Sequence, residues 1–312
     1  MILTDIVFDI IKKIIETPRL ITLSSNVLES LSNNNWLKNN YLYHYTNLEG
    51  FLGIVSSQNP GFWATHIAYM NDSMEYRHGI KLCEKIIEEF IKDSTVGVTL
   101  AGRDNLNTLK EYLTNDDDEV FVVSFCQNSD LLSQWRGYSR GQYGISIGFD
   151  FGHNQVFDTS NPINSILTPR PVIYDQENQI FRLKELIKDS IPFLNNIDSD
   201  SQIKQLSESL KYFIPVLKNS SFSEEEEWRI VATNFNEIDI KDIKYPLKFR
   251  VRNNIIVPYI TLPFDDSTKL PIKRVVIGPS DTSEFTEESI RYYLKTNGYN
   301  DTEVVRSAIP YR

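Results

Sequence analysis

A run of four glutamates stands directly before an apolar stretch, in Ser223-Glu224-Glu225-Glu226-Glu227-Trp228-Arg229. If that stretch is a strand, alternation places Glu225, Glu227 and Arg229 on one face while Trp228 faces the core. Two carboxylates fixed in this way could stabilise a positively charged transition state. A solvated acidic loop is the other interpretation of such a run, and both interpretations stay open at this point.

His44, in Leu42-Tyr43-His44-Tyr45-Thr46, is a second residue that could take part in chemistry. Among aromatic neighbours, a neutral imidazole can hydrogen-bond to backbone or to a ribose hydroxyl without becoming charged near pH 7. A purely structural histidine would fit the same position. His44 therefore becomes a functional candidate only if other site residues lie beside it.

The stretch Leu131-Leu132-Ser133-Gln134-Trp135-Arg136-Gly137-Tyr138 combines a permanently charged guanidinium with aromatic planes. Because Gly141 and Gly144 follow, we interpret the stretch as a loop with a flexible backbone. Such a loop suits an anionic, partly aromatic ligand such as a nucleotide. A loop whose side chains stack only for structural reasons has the same composition.

The elements that would position these residues follow from hydrophobic periodicity. Aromatic and β-branched runs predict strands at 41–45, 61–65, 119–126, 143–149, 228–232, 259–263, 274–279 and 303–307. Apolar residues at three- and four-residue steps predict helices at 47–55, with Thr46 or Asn47 as N-cap, at 73–92, and within 176–218. Helices between some strands and hairpin-like spacing between others predict an α+β fold.

We divide the chain into an N-terminal helical segment, residues 1–40, and one domain over residues 41–312 with a helical insertion near 176–218. The N-terminal segment starts with an amphipathic helix that ends near Thr17, ahead of Pro18. Its apolar stripe predicts core packing or, alternatively, contact with a partner or with a second copy of the chain. The insertion could cover a site as a lid or pack as ordinary helices.

Composition argues against several classes of protein. A formal net charge of −10 disfavours broad, non-specific binding of nucleic acid, although a local basic groove is compatible with it. With only Cys83 and Cys126 and four dispersed histidines, we expect buried thiols and no metal site. The acidic N-terminus and the lack of an apolar run near 18 residues lead us to expect a cytoplasmic protein without membrane contact. Phosphate-loop, dinucleotide-binding, nucleophile-elbow and zinc-protease motifs are absent.

Six motifs together resemble a large bacterial family of uncharacterised proteins, a domain of unknown function. They lie at residues 42–46, 63–66, 69–72, 133–138, 225–229 and 277–279, and the likeness runs from about Leu42 to Arg312. That family in turn looks like the His-Tyr-Glu branch of ADP-ribosyltransferases, which carries a histidine on its first strand and a glutamate on a late strand. In this chain His44 and Glu227 stand in that order. The resemblance implies a split β-sheet core.

The same resemblance implies NAD as the substrate and a role for each catalytic candidate. His44 would hydrogen-bond a ribose hydroxyl of NAD, and the neighbouring backbone at Tyr45 and Thr46 would hold the nicotinamide amide. Glu227 would stabilise the oxocarbenium-like state as nicotinamide leaves, while Glu225 would orient the acceptor. The catalytic candidates are therefore Glu227, Glu225 and His44.

The resemblance also implies residues that would hold the rest of NAD. Trp63 and Tyr69 would supply planes on which nicotinamide stacks, with Asn71 beside them. Arg136 would pair with the pyrophosphate. The tyrosine position of the family is open among Tyr69, Tyr76 and Tyr138, the last of which we include among the NAD-binding residues.

We therefore expect an NAD-consuming enzyme that transfers ADP-ribose to a protein or nucleic acid, or hydrolyses NAD, and that acts as a toxin or an anti-phage defence effector. Two hypotheses from other classes remain. One is a non-catalytic module that binds a nucleotide or a partner protein through the same groove. The other is a hydrolase that uses the two glutamates as acid and base on a nucleic acid or a glycoside.

Overall fold

The computed structural model describes residues 36–310 apart from 38, 57, 59, 71–72, 115–118, 140–143, 153–168, 197–199, 234–245, 253, 264–268 and 281–282. Most of the predicted N-terminal segment, including the amphipathic helix, lies outside the described residues. Asn71 also lies outside them.

Within the described residues, ten strands form one sheet in which β9 and β10 are parallel and the other neighbouring strands are antiparallel. The strands are β1 (Leu42–Asn47), β2 (Phe62–His66), β3 (Val120–Cys126), β4 (Gly144–Phe149), β5 (Arg170–Pro171), β6 (Glu227–Thr233), β7 (Lys248–Arg252), β8 (Ile255–Leu262), β9 (Ile272–Ile277) and β10 (Glu303–Arg306). Their main order is β10-β9-β4-β1-β3-β2-β8-β7, and β6 pairs with both β3 and β5. The predicted α+β class is confirmed.

The sheet divides at β3. Along one edge, β3 pairs over its whole length with β6. Two strands share the other edge of β3. β1 pairs with β3 only at the Cys126 end, through Tyr43, and β2 pairs near the opposite end, where Thr65 lies across from Val122. β1 and β2 therefore diverge from β3 and leave a gap, which we call the fork, beside the middle of this strand.

Two hydrophobic cores cover the two faces of β3. Phe121, Val123 and Phe125 point into one core, whereas Val120 and Val122 point into the other. A strand buried on both faces is apolar at nearly every position, and this is why the sequence shows a continuous run here. The first core also contains residues of β1, β4 and β9, so the branch of the sheet that begins at β1 is anchored there.

The helices cover the sheet unevenly. They are α1 (Leu48–Val55), α2 (Ser73–Lys92), α3 (Leu100–Thr114), α4 (Leu132–Ser139), α5 (Gln176–Leu194), α6 (Asp200–Phe213) and α7 (Ser283–Thr296). Residues of α1 and α7 complete the first core, while α2, α3, α5 and α6 together build the second. The predicted insertion near 176–218 thus packs as ordinary core helices, one of the two alternatives that its sequence left open.

Three segments differ from the sequence-based expectation. Residues 132–139, which we interpreted as a flexible loop, form the helix α4. Residues 100–114 and 248–252, to which the periodicity assigned no element, form α3 and β7. Of the helices in the described part of the chain, none combines the length and the apolar character that crossing a membrane requires.

Candidate functional site

A cavity of about 420 Å³ lies at the fork. Its volume falls within the range of small-molecule sites, roughly 300–1,000 Å³. The walls come from β1, the start of α1, β2, β3, α4, the turn before β6, and β7. Of the residues selected from the sequence, the cavity is lined by His44, Tyr45, Thr46, Trp63, Tyr138, Glu225 and Glu227. Tyr69 and Arg136 are described residues that do not line it.

The His44 ring lies in the fork, with Nδ1 2.8 Å from the carbonyl oxygen of Ser124 on β3. A carbonyl oxygen only accepts hydrogen bonds, so Nδ1 carries the proton and Nε2 of the neutral ring is left as an acceptor. Phe125 contacts the imidazole edge-on, with ring centroids 6.0 Å apart. The side chain is therefore held in one orientation.

The pKa of His44 is lowered to about 4, chiefly by burial; the hydrogen bond to Ser124 opposes this effect, and the positive charge of Arg250 contributes to it. The ring is consequently neutral at pH 7. The backbone contact is one of the two that the sequence left open for this ring, and contact with a ribose hydroxyl stays a prediction. Arg250, on β7, also lines this cavity, and its charge acts on the His44 ring.

The carboxylate of Glu227 lies inside a cluster of buried cations. Oε1 accepts a hydrogen bond from Arg229 Nε at 2.7 Å, and Oε2 accepts from Arg229 Nη2 and from Lys218 Nζ, both at 2.8 Å. A carboxylate offers about four lone-pair positions. Contacts with described residues occupy three of them, which leaves one position on Oε1 for a ligand.

The ionisation of Glu227 follows from these contacts. Burial alone would raise the pKa of this carboxyl, but the charges of Arg229 and Lys218 and their hydrogen bonds more than offset burial and lower the pKa to about 2. Glu227 is therefore a carboxylate throughout the neutral range. A carboxyl of this kind cannot donate a proton to a leaving group as a general acid near pH 7.

Glu225 reaches the same cluster by a different route from the one expected. It ends a 3-10 turn, Ser220–Glu225, and is not part of β6. Glu226 then adopts a positive φ of 42°, a left-handed conformation that reverses the chain direction before the strand begins. Strand alternation does place Glu227 and Arg229 together, but Glu225 is brought close by the turn and accepts from Lys218 Nζ at 2.8 Å.

Lys218 joins the two glutamates. Its ammonium group is 2.8 Å from Glu225 Oε2 and 2.8 Å from Glu227 Oε2, and its side chain is 1% exposed. Glu224 and Glu226, in contrast, are exposed. The four-glutamate run is thus two solvated residues alternating with two residues fixed on one lysine, so each of the two interpretations of the run fits half of it.

A pair of arginines from β7 forms another part of the wall. Arg250 Nη2 donates to Thr65 Oγ1 at 2.6 Å, and the guanidinium lies over the rings of Trp63 and Tyr259, 5.3 Å from each centroid. Arg252 follows two residues later on the same face and donates to the carbonyl oxygen of Tyr69 at 2.6 Å. Among the described residues, no carboxylate forms an ion pair with either arginine.

Trp63 is half-buried and its position depends on Gly53. A Cβ atom at Gly53 would lie 1.9 Å from Trp63 Cζ2, so only glycine lets α1 approach the indole this closely. Tyr259 packs on the ring with centroids 4.8 Å apart. Trp63 therefore already contacts an arginine and a tyrosine, and it lines the cavity as part of a packed wall.

The helix α4 explains where the aromatic and basic residues of 132–139 point. Trp135 is 2% exposed and packs edge-on against Tyr45, with centroids 4.7 Å apart. Tyr138, three residues later, shares that face and lines the cavity, whereas Arg136 points to solvent. Arg136 therefore lies outside the cavity, because a helix, unlike the loop we expected, separates its face from that of Trp135.

The remaining predicted NAD-binding residues have mixed placements. The Tyr45 hydroxyl donates to the carbonyl oxygen of Asn128 and accepts from the Leu131 amide, so its polar end is used within the protein. Thr46 is buried. Tyr69 is 40% exposed and contacts His66 edge-on. Of the three tyrosines left open, Tyr138 lines the cavity, and Tyr76 packs against the second core.

Both cysteines are buried, as expected. Cys126 lines the cavity next to Glu227, but burial raises its pKa to about 12. The thiol is then protonated at neutral pH, which makes it a poor nucleophile. In the described part of the chain, no group of three or more histidine, cysteine and acidic side chains is placed to hold a metal ion.

Sequence reasoning missed Lys218, Arg250, Arg252 and Thr65. A signal for the arginines is present, because Lys248-Phe249-Arg250-Val251-Arg252 alternates basic and apolar residues as a strand does. Lys218 carries no such signal. It becomes part of the site only because the turn at Ser220–Glu225 folds the chain back onto it.

A family profile matches part of the chain. No curated protein and no solved structure matches the chain. The matched segment covers less than a third of the 312 residues, and it begins within α4 and ends within β6, so that Tyr138, Glu225 and Glu227 fall inside it. Residues 134–230 match the profile of a family described as "Protein of unknown function (DUF2971)".

Proposed function

We propose that this chain is an NAD-consuming enzyme that breaks the bond between nicotinamide and ribose and passes ADP-ribose to a macromolecular acceptor or to water. One observation carries the proposal: His44, Glu225 and Glu227 line the same cavity. Tyr43 pairs with Cys126 and Cys126 pairs with Glu227, so β1 and the start of β6 are two strand spacings apart, roughly 10 Å. A single small ligand can contact both.

The arrangement of the fork supports the same reaction. Beyond Tyr43, the edge of β1 that faces the fork pairs with no described strand, so its backbone groups are available for an amide such as that of nicotinamide. His44 Nε2 is an acceptor for a ribose hydroxyl. Tyr138, from α4, supplies an aromatic side chain at the cavity wall, the role that the family resemblance gives to its tyrosine.

In the proposed reaction, the C–N glycosidic bond breaks and its electron pair leaves on the nicotinamide nitrogen, which neutralises the pyridinium. Positive charge develops on the ribose, and the fixed carboxylate of Glu227 stabilises that charge. An acceptor group or a water molecule then attacks the same carbon. Its proton passes to Glu225, which is the more exposed of the two carboxylates, and from there to solvent.

The test is nicotinamide release from NAD by the purified protein, alone and with candidate protein and nucleic-acid acceptors. We expect Glu227→Gln to lower the rate by about 10²-fold or more, by analogy with the loss of one electrostatic group from an active site. Glu225→Gln should reduce transfer to the acceptor more than hydrolysis. Glu224→Gln is the matched control, because Glu224 belongs to the same run but is exposed, and its rate should equal that of the wild type.

Two outcomes would contradict the proposal: no nicotinamide release by folded wild-type protein with any acceptor, or equal release by wild type and Glu227→Gln. If the enzyme is active, we further propose that it acts as a toxin or defence effector by depleting NAD. Cellular NAD should then fall on expression of the wild type and not on expression of Glu227→Gln.

A second candidate function is a non-catalytic module that binds a nucleotide. One observation favours it: two buried cations already neutralise Glu227, as in a structural ion pair. In that case, a nucleotide would bind in the cavity and raise the melting temperature without turnover.

A further inference from the structure

Strand β7 carries two arginines, Arg250 and Arg252, that form no ion pair with a carboxylate among the described residues. Arg250 is half-buried, and its Nε is a buried atom without a hydrogen-bond partner, as is Nε of Arg252. Both side chains line the cavity. Burying a guanidinium without a carboxylate partner is unfavourable, because the charge loses water and gains no counterion.

The two arginines also repel each other. Burial, and to a smaller extent the positive charge of Arg252, lowers the pKa of Arg250 to about 10. At neutral pH both guanidinium groups are nevertheless charged. An anion bound in the cavity beside both arginines would offset the cost of burial and the repulsion between the two charges, because it supplies hydrogen-bond acceptors and a negative charge.

Arg250 is oriented for this task. Thr65 Oγ1 fixes one end of the guanidinium, and the rings of Trp63 and Tyr259 lie against it. A guanidinium oriented in this way presents its remaining N–H groups as two parallel donors, a geometry that matches two oxygens of one phosphate.

The position of the arginines along β3 indicates which part of a ligand they would contact. Thr65, the partner of Arg250, lies opposite Val122, whereas Glu227 lies opposite Cys126. Four residues of strand separate these points, or roughly 13 Å. The arginines therefore lie toward the end of the cavity away from the two carboxylates, which Lys218 and Arg229 already pair.

We propose that Arg250 and Arg252 form a binding site for the diphosphate of the ligand, while the carboxylates hold its cationic end. That the diphosphate belongs to NAD rests on the proposed function; the anion site itself does not. The predicted pyrophosphate contact thereby moves from Arg136, which is exposed, to β7.

The test is binding of ADP to the full chain by calorimetry, with adenosine as the uncharged comparison ligand. Replacing Arg250 by Gln removes charge-assisted hydrogen bonds of about 1.5–3 kcal/mol each. ADP should therefore bind about 10- to 100-fold more weakly to Arg250→Gln, while the affinity for adenosine should not change. The wild-type affinity for ADP should also fall as ionic strength rises.

Lys248→Gln is the matched control. Lys248 lies on the same strand and the same face as Arg250, but it donates to Thr261 and does not line the cavity. Its replacement removes one positive charge as well, so its affinity for ADP should stay within about twofold of the wild type. Equal weakening in both variants would show a general charge effect and overturn the site.

Further variants separate a local loss of binding from a loss of folding. Arg250→Lys keeps the charge but loses the paired N–H donors, so it should bind ADP with intermediate affinity. Arg252→Gln should weaken ADP binding independently. If Arg250→Gln does not fold, these two variants decide the question. Unchanged affinity for ADP in both, or no ADP binding by the wild type, contradicts the diphosphate site.

The outcomes also distinguish this inference from the proposed function. Weaker ADP binding by Arg250→Gln together with no nicotinamide release by the wild type would keep the anion site and reject the enzyme. Nicotinamide release with the same KM for NAD in wild type and Arg250→Gln would keep the enzyme and reject the anion site.

Discussion

At the scale of single residues, the site contains polar side chains that already form most of the hydrogen bonds open to them. His44 Nδ1 donates a hydrogen bond to the carbonyl oxygen of Ser124. The Glu227 carboxylate accepts three hydrogen bonds from Arg229 and Lys218, which occupy three of its about four lone-pair positions. Each group is left with one free acceptor position, on Nε2 and on Oε1. Both residues line the cavity, so both positions can accept hydrogen bonds from a ligand bound there.

The half-buried, neutral His44 should make stability depend on pH. Its pKa is about 4 in the folded chain and near 6.5 when unfolded, so the unfolded state binds the proton first as pH falls. The free energy of unfolding should therefore decrease between pH 6.5 and 4. The difference in pKa corresponds to a contribution on the order of 3 kcal/mol.

Urea unfolding of wild type and His44→Gln at pH 7 and pH 4.5 measures this contribution. Gln keeps a donor for Ser124 but does not titrate, so the variant should lose less stability than the wild type over this interval. Glu227 has little effect on this comparison, because its low folded pKa lowers the free energy of unfolding mainly below pH 4.5. Parallel pH dependence in the two proteins would contradict the argument.

At the scale of elements, α4 is held between β1 and the end of β9. Trp135 donates from Nε1 to Asp130 Oδ1 at 2.7 Å, and Asp130 also accepts from Ser307 and Ala308 near the end of the chain. Gly278 lies against the same indole. Two of the motifs that carried the family resemblance, at 133–138 and 277–279, are thus joined by a packing contact.

Substitutions at Gly278, which makes this contact, and at Gly137, which does not, should have opposite effects on stability. A Cβ at Gly278 would lie 3.0 Å from Trp135 Cε3 and 3.1 Å from the carbonyl oxygen of Gly144, so Gly278→Ala should destabilise by about 1–3 kcal/mol. At Gly137, inside α4, a Cβ meets nothing within 4 Å. Gly137→Ala should be neutral or stabilise by up to about 1 kcal/mol, because alanine favours a helix.

Chemical denaturation of both variants provides the measurement. Equal stability of Gly278→Ala and wild type would mean that Trp135 can shift without cost, and the proposed fixing of α4 by β9 would then be wrong.

At the scale of the whole molecule, the cavity exists because two branches of the sheet diverge from β3. His44 and Tyr138 belong to the branch that contains β1, and Trp63 and Arg250 belong to the branch that contains β2 and β7. A ligand at the fork contacts both branches. Binding should therefore stabilise the chain as one unit.

Saturation with ADP-ribose tests this coupling. At about 100 times Kd, the ligand should add roughly 2.7 kcal/mol to the free energy of unfolding and raise the melting temperature. Hydrogen exchange should slow in peptides from β1 and α4 and also in peptides from β2 and β7. Protection limited to one branch would place the ligand outside the fork.

The sequence by itself determined the local elements of this protein. Helix α2 was predicted at residues 73–92, where the structure has it, and β1, β3, β4 and β6 were predicted within about two residues at each end. The reason is that a strand or helix with a buried face shows its period in a few consecutive residues. The same local reasoning gave the α+β class.

Tertiary structure alone decided which residues share the cavity. Arg250 and Thr65 are 185 positions apart and meet only when β7 and β2 flank β8. The sequence of β7 alternates basic and apolar residues but does not show which face is turned inward: Phe249 and Val251 are exposed and the arginines line the cavity, the reverse of an ordinary amphipathic strand. Contacts of this kind depend on sheet order, which the periodicity of single segments does not encode.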